Sequence, residues 1–177
     1  PTELTELLDN RLAPLTVPVP ESCTFNIGYV SGHKHFFHPD QQSILKFRLP
    51  EASLRRTLTA SRELSGIGIH TSAVVTSDVR KLFYPNGTLS PEEERYIRNG
   101  EADGVALGYK CSKRMPWYKV PDVRVPDVLL SVFKESPSLV LNDAGLVASN
   151  SLLCGFLRPA CTAEQFILAW YTSLTRL

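Results

Sequence analysis

Two stretches of the chain hold side chains that could do chemistry. HKHFFH, residues 33–38, places His33, His35 and His38 within six residues. Imidazole nitrogens ligate transition metals, and residues at i and i+2 share one face of a strand. That face would carry His33 and His35, with His38 on the other. No cysteine or carboxylate-rich partner stands at ligand spacing, so the expected state is a loop or surface strand without metal. His70 is isolated and reads as structural. The second stretch is KCSKRMPWYK, residues 110–119, with four cations, two large aromatics and no acid. Lys110, Lys113 and Lys119 could neutralise phosphates, and the fork of Arg114 could pair with guanine O6 and N7. Trp117 and Tyr118 could stack on a base, or pack beneath the strand that presents the cations. Pro116, Pro121 and Pro126 stiffen the span, which lowers the ordering cost of binding. Composition also fits a core tryptophan beneath solvated lysines, and both readings stand at this point.

No catalytic set accompanies these stretches. GIG at residues 66–68 lacks the third glycine of a dinucleotide fingerprint and a strand–helix unit around it. There is no P-loop, no G-x-S-x-G and no H-E-x-x-H. The acids are scattered, and nothing assembles a nucleophile, a base and an orienting group. The chemistry to expect is binding.

Composition narrows what is bound. The chain has 177 residues, 43% hydrophobic and 21% charged, which suits a globular domain or two small ones. The net charge is +1, so any nucleic-acid surface must be local, with acids kept elsewhere. Glu92, Glu93 and Glu94 form one acidic block, and Glu3, Glu6 and Asp9 another. No apolar run reaches the ~18–20 residues of a membrane span. The start, PTELTELLDN, is not a signal peptide and lacks a start Met, so the chain is expected to be a piece of a longer protein. The four cysteines, Cys23, Cys111, Cys154 and Cys161, form no C-x-x-C pair and are expected to be reduced, as in a cytoplasmic protein.

The elements that must position these residues can be sketched. Leu4, Leu7, Leu8 and Leu12 repeat at helical spacing over residues 2–12, and the prolines after them stop the helix. CTFNIGYV, residues 23–30, alternates as a strand, SGH turns, and Phe36 and Phe37 resume an extended run with one of the two in the core. Residues 51–62 predict a helix after Pro50, with Leu54 and Leu58 four apart. β-Branched residues follow, then a strand ending at Pro85-Asn86-Gly87. Ser90 and Glu93 form a capping box, with Pro91 at the first position of a helix to about residue 98. Strands are expected at 128–133, 138–142 and 147–157, and a helix opens at Thr162 with Phe166, Ala169, Trp170 and Leu174 on one stripe. The sum is a mixed α+β fold, a strand-rich centre with peripheral helices. Residues 1–21 form a helix and proline-rich linker, and residues 22–177 the main domain.

Several segments carry a family likeness. R-x-P-W-Y-x-V-P, here Arg114, Pro116, Trp117, Tyr118, Val120 and Pro121, resembles a signature in the C-terminal region of γ-class N6-adenine DNA methyltransferases of type II restriction–modification systems. Downstream, Asn142, Ala144, Ser149, Asn150, Ser151 and Leu152 match an "N-x-A…(T/S)-N-(T/S)-L" stretch. Upstream, Gly28, Ser31, Gly32, Phe36 and Phe37 match a "G-x-x-(T/S)-G-x-N-x-F-F" loop, with Lys34 where a polar residue such as Asn is usual. LRRTLTASRELSG resembles the family segment after that loop. The likeness spans roughly residues 22–174, with its motifs in family order.

The resemblance implies a bacterial target recognition domain that grips double-stranded DNA while a catalytic domain of the same polypeptide holds S-adenosylmethionine. This fragment would need no cofactor and would be inactive alone, since the Asn-Pro-Pro-(Tyr/Phe) motif and the glycine-rich donor site are missing. The DNA-binding residues it implies are Gly28, Ser31, Gly32, His33 and Lys34 in the loop, and Lys110, Ser112, Lys113, Arg114, Trp117, Tyr118 and Lys119 in the basic segment. Asn142, Asn150 and Ser151 complete the set, although an asparagine can as well tie down a turn. The other function class to weigh is a protein–protein interaction module without nucleic acid, which the near-neutral charge favours.

Overall fold

A computed structural model describes Glu6 and residues 17–74, 79–131, 137–159 and 161–172. The fold is mixed α+β: two sheets, with short helices around them. The helix expected over residues 2–12 lies outside the described residues, Glu6 apart.

A one-turn helix α1 (Val19–Ser22) leads into β1 (Cys23–Ile27). β1 joins β4 (Val128–Ser131), β5 (Ser138–Leu141) and β7 (Leu153–Leu157) in a four-stranded antiparallel sheet of order β1-β7-β4-β5. β4 is buried at every position, so it sits at the middle of the sheet with both faces covered. A smaller sheet holds β2 (Leu54–Leu58) between β3 (Lys81–Phe83), antiparallel, and β6 (Val147–Ala148), parallel. Around them lie α2 (Lys34–Phe37), α3 (Gln41–Phe47), α4 (Pro91–Ala102), α5 (Tyr109–Ser112) and α6 (Ala163–Trp170).

The two sheets meet where β1 runs out and β6 turns into β7. Gly28 N–H donates to the Leu152 carbonyl at 3.1 Å, and Tyr29 N–H to that of Ala148 at 3.0 Å. Asn150 N–H returns a bond to the Tyr29 carbonyl at 3.0 Å, and Ser149 N–H bonds the Leu58 carbonyl at 2.9 Å. Gly28 must be glycine here: a Cβ would drive into the backbone carbonyls of Ala148 and Ser149.

Local signals were legible at helix starts. Ser90 accepts from Glu93 N–H at 3.2 Å while Ser90 N–H donates to the Glu93 carboxylate at 2.6 Å, the reciprocal capping box. Thr162 and Gln165 repeat the arrangement at α6.

Four expectations are corrected. Residues 51–62 are a 3-10 turn, then strand β2, then a second 3-10 turn over Ser61–Leu64. A spacing of four places two leucines on one face of a strand as well as of a helix, and pairing on both edges overrode helix propensity. HKHFF is helical rather than extended, with Phe36 N–H donating to His33 Nδ1 at 3.2 Å as the cap. One helical turn sends both Phe36 and Phe37 into the core, where a strand would have split them. α4 continues to Ala102 through Asn99-Gly100, because Gly100 is a packing glycine. A Cβ there would strike the Phe36 ring and lie 3.0 Å from Trp117. Residues 147–157 are two strands in two sheets, divided by a turn at 149–152.

One core lies beneath the small sheet and is built on aromatic rings. Phe36 stacks on Tyr96 at 4.7 Å between centroids and meets Phe37, Phe83 and Trp117 at 5.0–5.9 Å. Tyr96 adds a hydroxyl bond of 2.6 Å to the Phe36 carbonyl. Other apolar clusters form around Leu129, Val140 and Leu146, and between the large sheet and α6, where Trp170 packs half-buried.

Candidate nucleic-acid interface

The loop 28–34 and the basic segment 110–119 are about eighty positions apart in sequence, and the fold joins them. The join is Arg114. Its Nη1 donates to the Ser31 carbonyl at 2.8 Å and its Nη2 to the Val30 carbonyl at 2.6 Å. Its guanidinium also lies 5.9 Å from the centroid of the Phe37 ring. The fork assigned to base reading is therefore occupied inside the fold, as a clamp between two surface segments. Gly32 completes the seam. It holds φ +89°, and a Cβ there would lie 2.8 Å from Lys110 Cβ.

The loop is anchored from below. Tyr29 is buried, with its hydroxyl 2.8 Å from His38 Nε2 and 2.7 Å from Thr57 Oγ1. His38 Nδ1 lies 3.0 Å from the Lys34 carbonyl, which can only accept. The neutral ring thus carries its proton on Nδ1, and Nε2 accepts from Tyr29. Burial holds His38 below the ordinary histidine value, which keeps it in that neutral form. Of the three clustered histidines, His33 caps α2, His38 braces Tyr29, and His35 is exposed beside His33.

Trp117 and Tyr118 anchor the basic segment. Trp117 is half-buried against Phe36 and donates its indole N–H to Glu101 at 3.0 Å, and Tyr118 packs edge-on to Trp117. Cys111, within α5, is fully buried. With these anchors inward, Lys110, Lys113 and Lys119 are exposed along the basic segment, and Lys34 is exposed at the end of the loop. None of the four has an ion-pair partner among the described residues; Lys110 rests its ammonium 5.6 Å from the Tyr109 ring. Ser112 is exposed and donates to the Tyr109 carbonyl at 3.2 Å. Leu107, Tyr109 and Met115 are also exposed, Met115 at 98%. Their place next to the cations can be read from the sequence, but their exposure comes from the fold.

The third expected group divides. Asn150 is exposed and Ser151 half-exposed, on the turn that pairs with Gly28 and Tyr29, so both adjoin the base of the loop. Asn142 does not face outward. It is buried, its Nδ2 donates to the carbonyls of Pro126 and Leu146, and its Oδ1 accepts from Leu146 N–H at 3.0 Å. Its amide is spent on holding a turn, and no edge is left for a base.

The neighbouring Asp143 ties that turn to the 3-10 turn at Thr71–Val74. It accepts from Ser72 N–H and Oγ at 2.7 Å each, from Thr71 Oγ1 at 3.0 Å, and sits 3.1 Å from His70 Nδ1. Burial pushes its carboxyl up, but the bonds from Ser72, Thr71 and His70 outweigh this and bring it to about 2. A carboxyl lowered on folding stabilises the fold above its unfolded value near 3.8 and ceases to do so as pH falls towards about 2. Acid titration by circular dichroism should therefore show Asp143→Asn losing part of the wild type's stability difference between pH 5 and pH 2. Equal acid sensitivity in both proteins would contradict this.

The arrangement has a counterpart among known families. The family of the type II methyltransferase M.Eco57I, C-terminal domain, matches residues 2–177. The chain belongs to that family. Among curated proteins none matches it. That family is the C-terminal domain of type II methyltransferases, which belong to restriction–modification. The clamped seam of loop and basic segment lies within the matched region. No helix among the described residues is long and apolar enough to cross a membrane. The described residues hold no cluster of three or more His, Cys, Asp or Glu placed to bind a metal. Four free thiols remain; burial pushes Cys23 and Cys154 up to about 11, so both stay protonated at neutral pH.

Proposed function

We propose that this domain grips double-stranded DNA and reads the target for an adenine-N6 methyltransferase. One observation carries the reading: Arg114 clamps the loop 28–34 to the basic segment, and the two joined segments carry exposed Lys34, Lys110, Lys113 and Lys119, none in an ion pair among the described residues. Cations held on stiff, aromatic-anchored backbone suit phosphates at fixed spacing. Their local density explains how a chain of net charge +1 could hold a polyanion. Methylation of an adenine in duplex DNA requires flipping it from the stack. In this reading the catalytic domain of the same polypeptide, in the cytoplasm, holds that base and S-adenosylmethionine, and this domain holds the duplex. Ser31, Ser112, Asn150 and Ser151 are polar side chains of these segments that could reach base edges. Leu107, Tyr109 and Met115 supply apolar surface against sugars or bases.

The protein-interaction reading rests on the same exposed apolar residues and is separated by salt. Binding to a fluorescent random-sequence duplex is measured at 50 and 200 mM salt for wild type and for Lys110→Ala/Lys113→Ala/Lys119→Ala. Loss of three phosphate contacts is expected to reduce the slope of log K against log salt by about 3 and to weaken binding at least tenfold. A variant with unchanged slope would remove these lysines from the interface. Arg114 stays intact in this test because its loss would loosen the seam itself.

A further inference from the structure

A second cationic feature lies on the small sheet. Arg55 and Arg56, adjacent on β2, line a cleft of about 250 Å³ with Tyr84, Val123, Val125 and Val147. Arg56 Nη2 is buried and has no hydrogen-bond partner among the described residues. No carboxylate among the described residues lines the cleft. This is unlike the other cation of the sheet, Lys81, which grips both oxygens of Glu51 at 2.7–2.9 Å. A buried guanidinium nitrogen without an acceptor destabilises the domain that carries it, whereas an arginine present only for solubility would point into water. An acceptor from outside the chain removes the penalty. Val123 and Val125 begin four residues after the basic segment ends at Lys119, so one continuous stretch links the cleft to the seam.

We propose that the Arg55–Arg56 cleft is an oxyanion site and that it receives a backbone phosphate of the DNA. The assignment to DNA rests on the recognition function proposed above. A guanidinium fork offers planar, permanently charged donors matched to paired phosphate oxygens. The valines beneath them lower the local dielectric and strengthen the contact. The duplex would then be held at two places, by the lysines of the seam and by this arginine pair.

Two measurements test the proposal independently. Thermal melts compare wild type and Arg56→Leu in chloride and in inorganic phosphate of equal ionic strength. Phosphate raises the Tm of many proteins by surface exclusion, so the reading is the difference between the two proteins. Phosphate is expected to raise the wild-type Tm by about 2–4 °C more than that of the variant. In chloride the variant should melt no lower than wild type, since it loses a buried donor, Nη2, that has no acceptor among the described residues. A variant that melts lower in chloride and responds equally to phosphate has lost a structural arginine, and the proposal falls. The second measurement is the salt dependence of duplex binding by Arg55→Gln/Arg56→Gln. Its slope should fall by about 1–2 with the seam lysines intact. An unchanged slope, with wild type binding normally, overturns DNA as the source and leaves a carboxylate of another protein segment as the occupant. Absence of duplex binding by wild type overturns the recognition function itself, while the melts still decide whether the cleft takes an oxyanion.

Discussion

Replacing Phe36 with alanine is expected to remove about 3–5 kcal/mol of folding stability, a large part of the ~5–15 kcal/mol that a domain has. The ring is only 6% exposed and sits at the centre of an aromatic cluster, stacked on Tyr96 with Phe37, Phe83 and Trp117 around it. Deleting it leaves a cavity that rigid rings cannot collapse to fill, which puts the cost at the upper end of such substitutions. It also frees the tryptophan that anchors the basic segment. Urea unfolding followed by fluorescence checks both effects, since Trp117 is one of only two tryptophans. The midpoint should drop steeply, and the native emission should shift to the red as Trp117 gains water. Phe36→Leu keeps most of the volume and should cost about 1–1.5 kcal/mol. A loss below about 1 kcal/mol for the alanine variant would mean that the cluster does not carry this core.

Arg114→Lys is expected to impair duplex binding nearly as much as Arg114→Ala, although it keeps the charge. The two carbonyls of Val30 and Ser31 need a planar fork with two diverging N–H groups, and an ammonium cannot span both in that geometry. A net contribution of about 2 kcal/mol is expected from the two bonds, below the sum for buried charged bonds because the guanidinium is half-exposed to solvent. The lysine variant should lose affinity without a lower salt slope, because its phosphate count is unchanged. Hydrogen exchange at the amides of the 28–34 loop should quicken in both variants. If lysine restored full binding, Arg114 would be acting as a point charge on phosphate and not as a clamp. If alanine left exchange unchanged but altered base preference, the fork would be reading bases.

Phe36, Arg114 and Asn142 show how far a sequence can be read. Phe36 and Phe37 were legible as aromatic and partly core, but whether both enter the core depends on a helical turn that His33 caps. Arg114 was legible as a cation in a basic run. Its partners are two backbone carbonyls more than eighty positions away, and a carbonyl leaves no mark in a sequence. Asn142 carried two readings that one residue type cannot separate, and burial decided for the turn. Arg55 and Arg56 were hidden by the assignment of their segment to a helix, where adjacent cations on a solvated face ask for no partner.

What the sequence determined by itself is local in origin. The capping box at Ser90, the helix start at Thr162 and the cluster of cations at 110–119 need only neighbours three to ten positions apart, and hydrogen-bond chemistry or charge density acts at that range. The family likeness to the C-terminal region of a type II methyltransferase was likewise legible, and the match over residues 2–177 bears it out. Tertiary structure decided whatever depended on a distant partner: strand over helix at 54–58, one run split into β6 and β7, and the seam that joins loop to basic segment. The physical reason is that pairing in a sheet, closure of an aromatic core and a guanidinium reaching a carbonyl each contribute free energy across long sequence separations. Those contributions exceed the few tenths of a kcal/mol per residue (about 0–0.7) by which local propensities differ.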